Sequence, residues 1–300
     1  MRPKLLAIAL LAAAAIPAVG AAAADAPACH LGRYASLPMT IDEAGLVTVP
    51  IKIGGEEENL LVDTGGVFSM LTSATAARLN LKPVSLDFGA AMYGWGGRRM
   101  NHYVEAEQIE IAGATIKRRQ FMVMPDDFLP LDDDGILAPD ILSVFEVDFD
   151  FAKSQMGLFS KDHCEGKVVY WTHDDYAAIP FDLDSNRHMK ITITLDGKEV
   201  HAILDTGASD SVMSLETARS MFGFKPSAIA ETGRYPFKSL TIQGVTVNNP
   251  VIDLVPDDKS KMLGNYGEPD MILGMGILRQ LHLFISFKEH TVYVTPASAH

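Results

Sequence analysis

The stretch Leu60-Leu-Val-Asp-Thr-Gly-Gly-Val-Phe-Ser-Met70 constrains this chain more than any other, because the chain builds it twice. Residues 202–213 read Ala-Ile-Leu-Asp-Thr-Gly-Ala-Ser-Asp-Ser-Val-Met, so an apolar run ending in Asp63-Thr64-Gly65 recurs as one ending in Asp205-Thr206-Gly207. A single Asp-Thr-Gly is weak evidence, since Asp and Gly are ordinary turn residues. Two copies, each behind a β-branched apolar run, point to two like carboxylates brought together by internal two-fold symmetry.

The repeat extends well beyond the triplets, as a duplicated architecture requires. At an offset of 142, residues 51–65 align without a gap on residues 193–207, which superposes Gly54-Gly55 on Asp196-Gly197. Both pairs are tight hairpin signals between two strands. Thr72 and Ser214 then stand as candidate N-caps of short helices near 73–80 and 214–222. Farther on, Ile109-Glu-Ile-Ala-Gly-Ala-Thr-Ile matches Leu240-Thr-Ile-Gln-Gly-Val-Thr-Val, and Pro125-Asp-Asp matches Pro256-Asp-Asp. Finally Ile136-Leu-Ala-Pro-Asp-Ile-Leu matches Ile272-Leu-Gly-Met-Gly-Ile-Leu. Each is followed by an alternating strand: Phe145, Val147, Phe149 and Phe151 in one copy, Leu281, Leu283, Ile285 and Phe287 in the other. Chance does not keep that order. The 300 residues form two homologous lobes of about 130 residues each, both large enough to bury a core.

The text is β throughout from about Tyr34, with Val, Ile, Thr and Phe alternating between Gly, Asp and Asn turns. Four segments are expected: a signal peptide at 1–24, a first lobe at 25–160, a connection at 161–182 and a second lobe at 183–300. The signal reading rests on Arg2 and Lys4, the apolar run Leu5 to Val19, and the small residues Ala22-Ala23-Ala24. It places the mature chain outside the cytosol, periplasmic or secreted in a bacterium, with no stable membrane insertion once the signal is cut. No later run is apolar and long enough to span a bilayer. A net charge of −13 argues against a nucleic-acid partner, since nothing would neutralise phosphates. Asp132-Asp133-Asp134 reads as a solvated loop.

Cys29 and Cys164 are the only cysteines, one before the first lobe and one in the connection. In an oxidising compartment they suggest a disulfide closing nearly the whole first lobe. Cys29-His30 and His163-Cys164 also offer four tetrahedral-metal ligand types, but no metal spacing motif is present, so the disulfide ranks above a metal site. Two unrelated free thiols are the remaining alternative.

The paired Asp-Thr-Gly triplets and their apolar-apolar-Gly partners resemble the aspartic peptidases of the pepsin and retropepsin type, over nearly the whole mature chain. The resemblance implies an all-β bilobal fold of two pseudo-symmetric closed barrels, here two retropepsin-like units fused as in bacterial secreted proteins. It implies Asp63 and Asp205 as the catalytic pair, Thr64 and Thr206 bonding across the interface, and Gly65 and Gly207 letting the backbone close on the site. It implies a flap at Tyr93-Gly94-Trp95, whose competing reading is a plain hairpin with a buried aromatic. A peptide or protein substrate, no metal or other cofactor, and a monomer follow, one chain already holding both halves. The residues before 45 are too few for a pepsin-style propeptide, so no zymogen is expected.

Two carboxylates about 3 Å apart share one proton, and their apparent pKa values split. The ionised partner then takes a proton from water while the protonated one polarises the scissile carbonyl. No His-Glu-x-x-His or Gly-x-Ser-x-Gly motif competes with this chemistry. Three departures bear on activity. Ala138 stands where Gly274 stands in the second copy, Gly66 and Ala208 follow the triplets, and Asp210 adds an acid that reads as a surface turn. A non-catalytic peptide-binding protein that keeps the cleft, and a structural or interaction protein, are the alternatives to an endopeptidase.

Overall fold

Both halves of the chain begin with the same device, a pair of strands joined where the backbone turns through positive φ. Val47–Ile53 pairs antiparallel with Glu56–Val62 across Gly54-Gly55, at φ of 62° and 98°. Met189–Leu195 pairs with Lys198–Leu204 across Asp196-Gly197, at 44° and 79°. The first strand of each pair buries every second side chain, the period a half-covered sheet imposes. The second strand of each pair ends in three consecutive buried residues, Leu60-Leu61-Val62 and Ala202-Ile203-Leu204. There the chain dives between neighbours on both faces, immediately before each Asp-Thr-Gly. The computed structural model describes residues 29–87, 92–93, 99–125, 133–183, 187–223, 229, 233–256 and 270–297. The expected signal peptide lies outside them.

A short late strand separates the chain entering each triplet from the chain leaving it. Gly135–Leu137 runs parallel to Glu56–Val62 and antiparallel to Met70–Thr72. Met271–Leu273 does the same between Lys198–Leu204 and Ser211–Ser214. In the first half, His102–Ile111 and Ala114–Met124 complete the circuit, and the pairs Lys52↔Glu110 and Ile53↔Ile109 close a six-stranded barrel. The helices Ser73–Arg78 and Leu215–Phe222 start where expected: the Thr72 and Ser214 hydroxyls accept the N–H groups of Thr75 and Thr217 at 3.1 and 3.0 Å.

The two halves share a sheet. Glu146–Asp150 pairs antiparallel with Leu281–Ser286, from Val147↔Ile285 to Asp150↔His282, so the late strands of the two repeats meet each other. Both are buried along their whole length, although the sequence alternates. The reason is that residues 160–176, which contain no strand, fold over the outer face. Tyr170 donates to Asp148 at 2.7 Å, His282 Nε2 and Asp148 share a 2.7 Å hydrogen bond, and Trp171 stacks on the His282 ring at 4.3 Å. His163 sits wholly buried between Glu289 and Glu146, at 3.2 and 3.6 Å. Residues 177–182, expected in the connection, already belong to the strand Ala177–Leu183, which pairs with Thr291–Pro296.

Cys29 and Cys164 form a disulfide, with Cα atoms 5.2 Å apart. Among the described residues no group of three His, Cys, Asp or Glu side chains is arranged to hold a metal ion. None of the described helices is long and apolar enough to cross a membrane. Within the acidic run, Asp134 corrects the expectation of a merely solvated loop. Asp134 accepts from the Asn59 N–H at 2.8 Å and pairs with Arg78, which also forks onto the buried Glu58 at 2.8 and 2.6 Å.

The disulfide joins residues 135 apart, so it restrains a long loop in the unfolded chain. Replacing both cysteines by serine is expected to cost about 2–5 kcal/mol in urea unfolding.

Candidate active site

Thr64 and Thr206 are both fully buried, and each hydroxyl bonds twice across the interface. Thr64 Oγ1 donates to the Leu204 carbonyl at 2.9 Å and accepts the Thr206 N–H at 3.0 Å. Thr206 Oγ1 donates to the Val62 carbonyl at 2.6 Å and accepts the Thr64 N–H at 3.1 Å. Leu204 and Val62 end the strands that enter the triplets, so the four bonds fix both aspartate loops against each other. The aspartates are held in matching fashion within their own halves: the Asp63 N–H donates to Leu137 O and the Asp205 N–H to Leu273 O, both at 3.0 Å. Gly66 N–H donates to Asp63 Oδ1 at 2.7 Å, and Gly207 N–H to Asp205 Oδ1 at 2.8 Å.

The glycines serve the opposite half. A Cβ on Gly65 would lie 2.4 Å from the Asp205 carboxyl carbon, and one on Gly207 would lie 2.6 Å from that of Asp63. Each carboxyl therefore occupies the space a side chain would take on the facing triplet. Burial pushes both acids up from the ordinary carboxylate range, Asp205 well above it because it also faces the Asp63 charge. At Asp63 the rise is opposed by the hydrogen bond with Asp205, then the Gly66 and Gly65 N–H groups, then the field of His188. Both residues keep some accessible surface, so the desolvation comes from chain packed around them and not from sealing the site. Two like acids placed this close favour holding one proton between them, and their titration belongs to the pair.

Ala138 fits without displacing this arrangement, for a reason the aligned repeat hides. A Cβ on Gly66 would meet the Ala138 methyl at 3.3 Å. The second half inverts the pair: Ala208 carries the methyl, and a Cβ on Gly274 would strike Ala208 O at 2.7 Å and Asp210 O at 2.3 Å. In the second half the Ala208 and Asp210 carbonyls, and not the Ala208 methyl, bar a side chain at position 274. Asp210 is exposed, its carboxyl 3.4 Å from the Ser209 hydroxyl, as a surface turn requires.

The flap expectation falls largely outside the described residues. Met92–Tyr93 pairs with Arg99–Met100, Tyr93 opposite Arg99, so the backbone forms a hairpin around that segment, while Gly94 and Trp95 are not described. The sequence reading missed Ser69 and Ser211, although both stand at the same offset of 142. Their hydroxyls accept the N–H of Ala138 and of Gly274, each at 3.0 Å. It also missed Asp140, which holds Ser69, and His188, buried near Asp63 with no motif around it.

Thr64→Ala would leave a buried carbonyl and a buried N–H unpaired, an expected loss of about 2–5 kcal/mol in chemical denaturation, with Thr64→Ser recovering most of it. The raised carboxyls have a linked consequence. In acid the folded chain keeps a proton that the unfolded chain releases near pH 4, so this stabilisation is full at low pH and lost as pH rises through the raised values. Asp205→Asn removes the costly second ionisation, and its melting temperature at pH 8 is expected to exceed the parent's, at roughly 2–4 °C per kcal/mol for a chain of this size.

Comparison with known proteins agrees with this geometry. A family model described as aspartyl protease matches residues 49–140 and 191–277, one match per copy of the repeat and more than half of the chain. No curated protein matches the chain. Among solved structures, the crystal structure of basic 7S globulin from soybean is similar in fold. Its TM-score is 0.56 and its identity 10%, over 90% of this chain and 96% of that one. With two Asp-Thr-Gly loops facing each other across a two-fold interface, and a family model matching both, this chain belongs to the aspartyl protease family and has its bilobal, pepsin- and retropepsin-like fold.

Proposed function

We propose that the chain is an active aspartic endopeptidase, with Asp63 and Asp205 as its catalytic pair and a peptide or protein as its substrate. The observation that carries this reading is that each carboxyl fills the side-chain space of the facing triplet's glycine, with both acids raised by burial inside an intact Thr64–Thr206 lattice. A protein that merely kept the fold would gain nothing from placing two acids where each disfavours ionisation of the other.

In this mechanism Asp63 is the carboxylate and Asp205 the acid. Asp63 takes a proton from a water molecule as its oxygen bonds to the scissile carbonyl carbon. Asp205 gives its proton to the carbonyl oxygen, and a gem-diol results. The proton now on Asp63 passes to the amide nitrogen. The C–N bond breaks, and a diol hydroxyl proton returns to Asp205 as the new carboxyl forms. Thr64, Thr206, Gly65 and Gly207 hold the geometry without touching the reacting atoms. The hairpin at Met92–Tyr93 and Arg99–Met100, with Gly94 and Trp95 between its strands, is assigned as the flap over the substrate.

The disulfide supports a site of action in an oxidising compartment, in accord with the signal-like first 24 residues, and a periplasmic or secreted monomer is the assigned form. The alternative, peptide binding without turnover, drew its support from Ala138, and the fit of its methyl beside Gly66 weakens that support.

The chain from Asp25, with Asp63→Asn and Asp205→Asn beside it, would be incubated with an unfolded protein mixture from pH 3 to 8. New N-termini would be read by mass spectrometry. Cleavage by the parent, strongest in acid, blocked by pepstatin and lost at least about 10³-fold in either variant, is the expected result. Folded proteins that release no new termini at any pH would replace the endopeptidase reading with the binding one.

A further inference from the structure

Behind the loop of Asp63 lies an acid that the two-fold repeat does not predict and the shared-proton chemistry does not use. Asp140 is in the short helix Pro139–Leu142. Its Oδ1 accepts both the N–H of Ser69 at 2.9 Å and the Ser69 hydroxyl at 2.7 Å. Ser69 is fully buried, and its Oγ accepts in turn the N–H of Ala138 at 3.0 Å. Ala138 follows Leu137, whose carbonyl receives the Asp63 N–H. A chain of hydrogen bonds thus runs from one carboxyl to the backbone of another.

The second half has no such acid. There Gly276 stands in place of Asp140, and backbone alone closes the loop: Met275 N–H to Ala208 O at 2.8 Å and Gly276 N–H to Ser209 O at 2.9 Å. In the first half Pro139 replaces Met275 and has no N–H to give. The carboxyl of Asp140 supplies the grip that the proline removed, so the loop carrying Asp63 is held by a titratable group and the loop carrying Asp205 is not.

We propose that Asp140 is a positioning residue for the Asp63 loop, acting through Ser69 and Ala138, and that its ionisation sets how firmly that loop is held. The proposal rests on the endopeptidase reading only for its effect on rate. Ionised, Asp140 offers Ser69 two charge-assisted bonds; protonated, its oxygen accepts more weakly and its own hydrogen needs a partner. Burial pushes its carboxyl up to about 6, opposed by the Ser69 hydroxyl and N–H, the Ile141 N–H and the charge of Arg119. Arg119, on the strand Ala114–Met124, is the charged group that faces it, and the Arg119 Nε is buried without a hydrogen-bond partner among the described residues.

The deciding comparison uses the chain from Asp25, its Asp140→Asn variant, which keeps an oxygen for Ser69, and Asp140→Gly, which copies the second half. Glycine amides labelled with ¹⁵N report the loop directly, because the Gly66 N–H bonds Asp63. In an Asp63→Asn/Asp205→Asn background, which removes the titration of the group that Gly66 bonds and of its partner, the Gly66 amide is expected to shift through a step near pH 6, absent once Asp140→Asn is added. In peptide cleavage, the same step is expected in kcat and not in KM, with kcat lowered at least about ten-fold in Asp140→Gly through misplacement of Asp63. An amide step that persists unchanged in Asp140→Asn overturns the proposal, whether or not Asp140→Gly folds. Absence of cleavage in the parent removes the endopeptidase reading, and the amide titration still decides the coupling.

Discussion

Everything at this site depends on two threonine hydroxyls that bond the wrong way, across the interface and not within their own loops. By donating to Leu204 and Val62 and accepting from each other's backbone, Thr64 and Thr206 convert two separate turns into one rigid unit. Without that lattice, two buried acids would drift apart, since like carboxyls in a desolvated space disfavour joint ionisation. The lattice supplies the restoring force, and the absence of a side chain on Gly65 and Gly207 supplies the room. The raised pKa values follow from position.

Around this symmetric centre the two halves diverge where symmetry is not needed. Gly66 packs against the Asp63 carboxyl and the Ala138 methyl, whereas Gly274 packs against the Ala208 and Asp210 carbonyls. Asp140 and Gly276 solve the same loop-holding problem with a carboxyl in one half and backbone in the other. Duplication fixes the constraint, and each copy then drifts among the side chains that satisfy it.

The sheet shared by Glu146–Asp150 and Leu281–Ser286 sets the distance between the halves from below. Its outer face carries Glu146, Asp148, Asp150 and His282, all buried and covered by the connection with Tyr170, Trp171 and His163. A buried polar network of this kind contributes more to a unique register than to net stability, because its hydrogen bonds at best offset the cost of desolvation. The disulfide at Cys164 tethers the same cover to the start of the first half.

The duplication, the strand pairs, the helix caps at Thr72 and Ser214 and the acids at positions 63 and 205 were all legible in the sequence. They are local patterns, repeated at constant offset, and local chemistry dictates them: glycine at positive φ, alternation on a half-covered strand, a hydroxyl at a helix start. The cysteine pairing was legible as a preference and became definite only when the fold brought residues 135 apart to a Cα distance of 5.2 Å. Ser69, Ser211, Asp140 and His188 were not legible as site residues, because nothing local separates a serine that anchors a catalytic loop from one in a turn. Nor were the pairing of Asp134 with Arg78 and the burial of the late strands, whose partners come from far along the chain. The sequence by itself determined which acids exist and that they come in two matched settings. Only the tertiary structure decided that each acid occupies the other triplet's empty side-chain space, because that contact crosses 142 residues of chain and depends on packing in both halves at once.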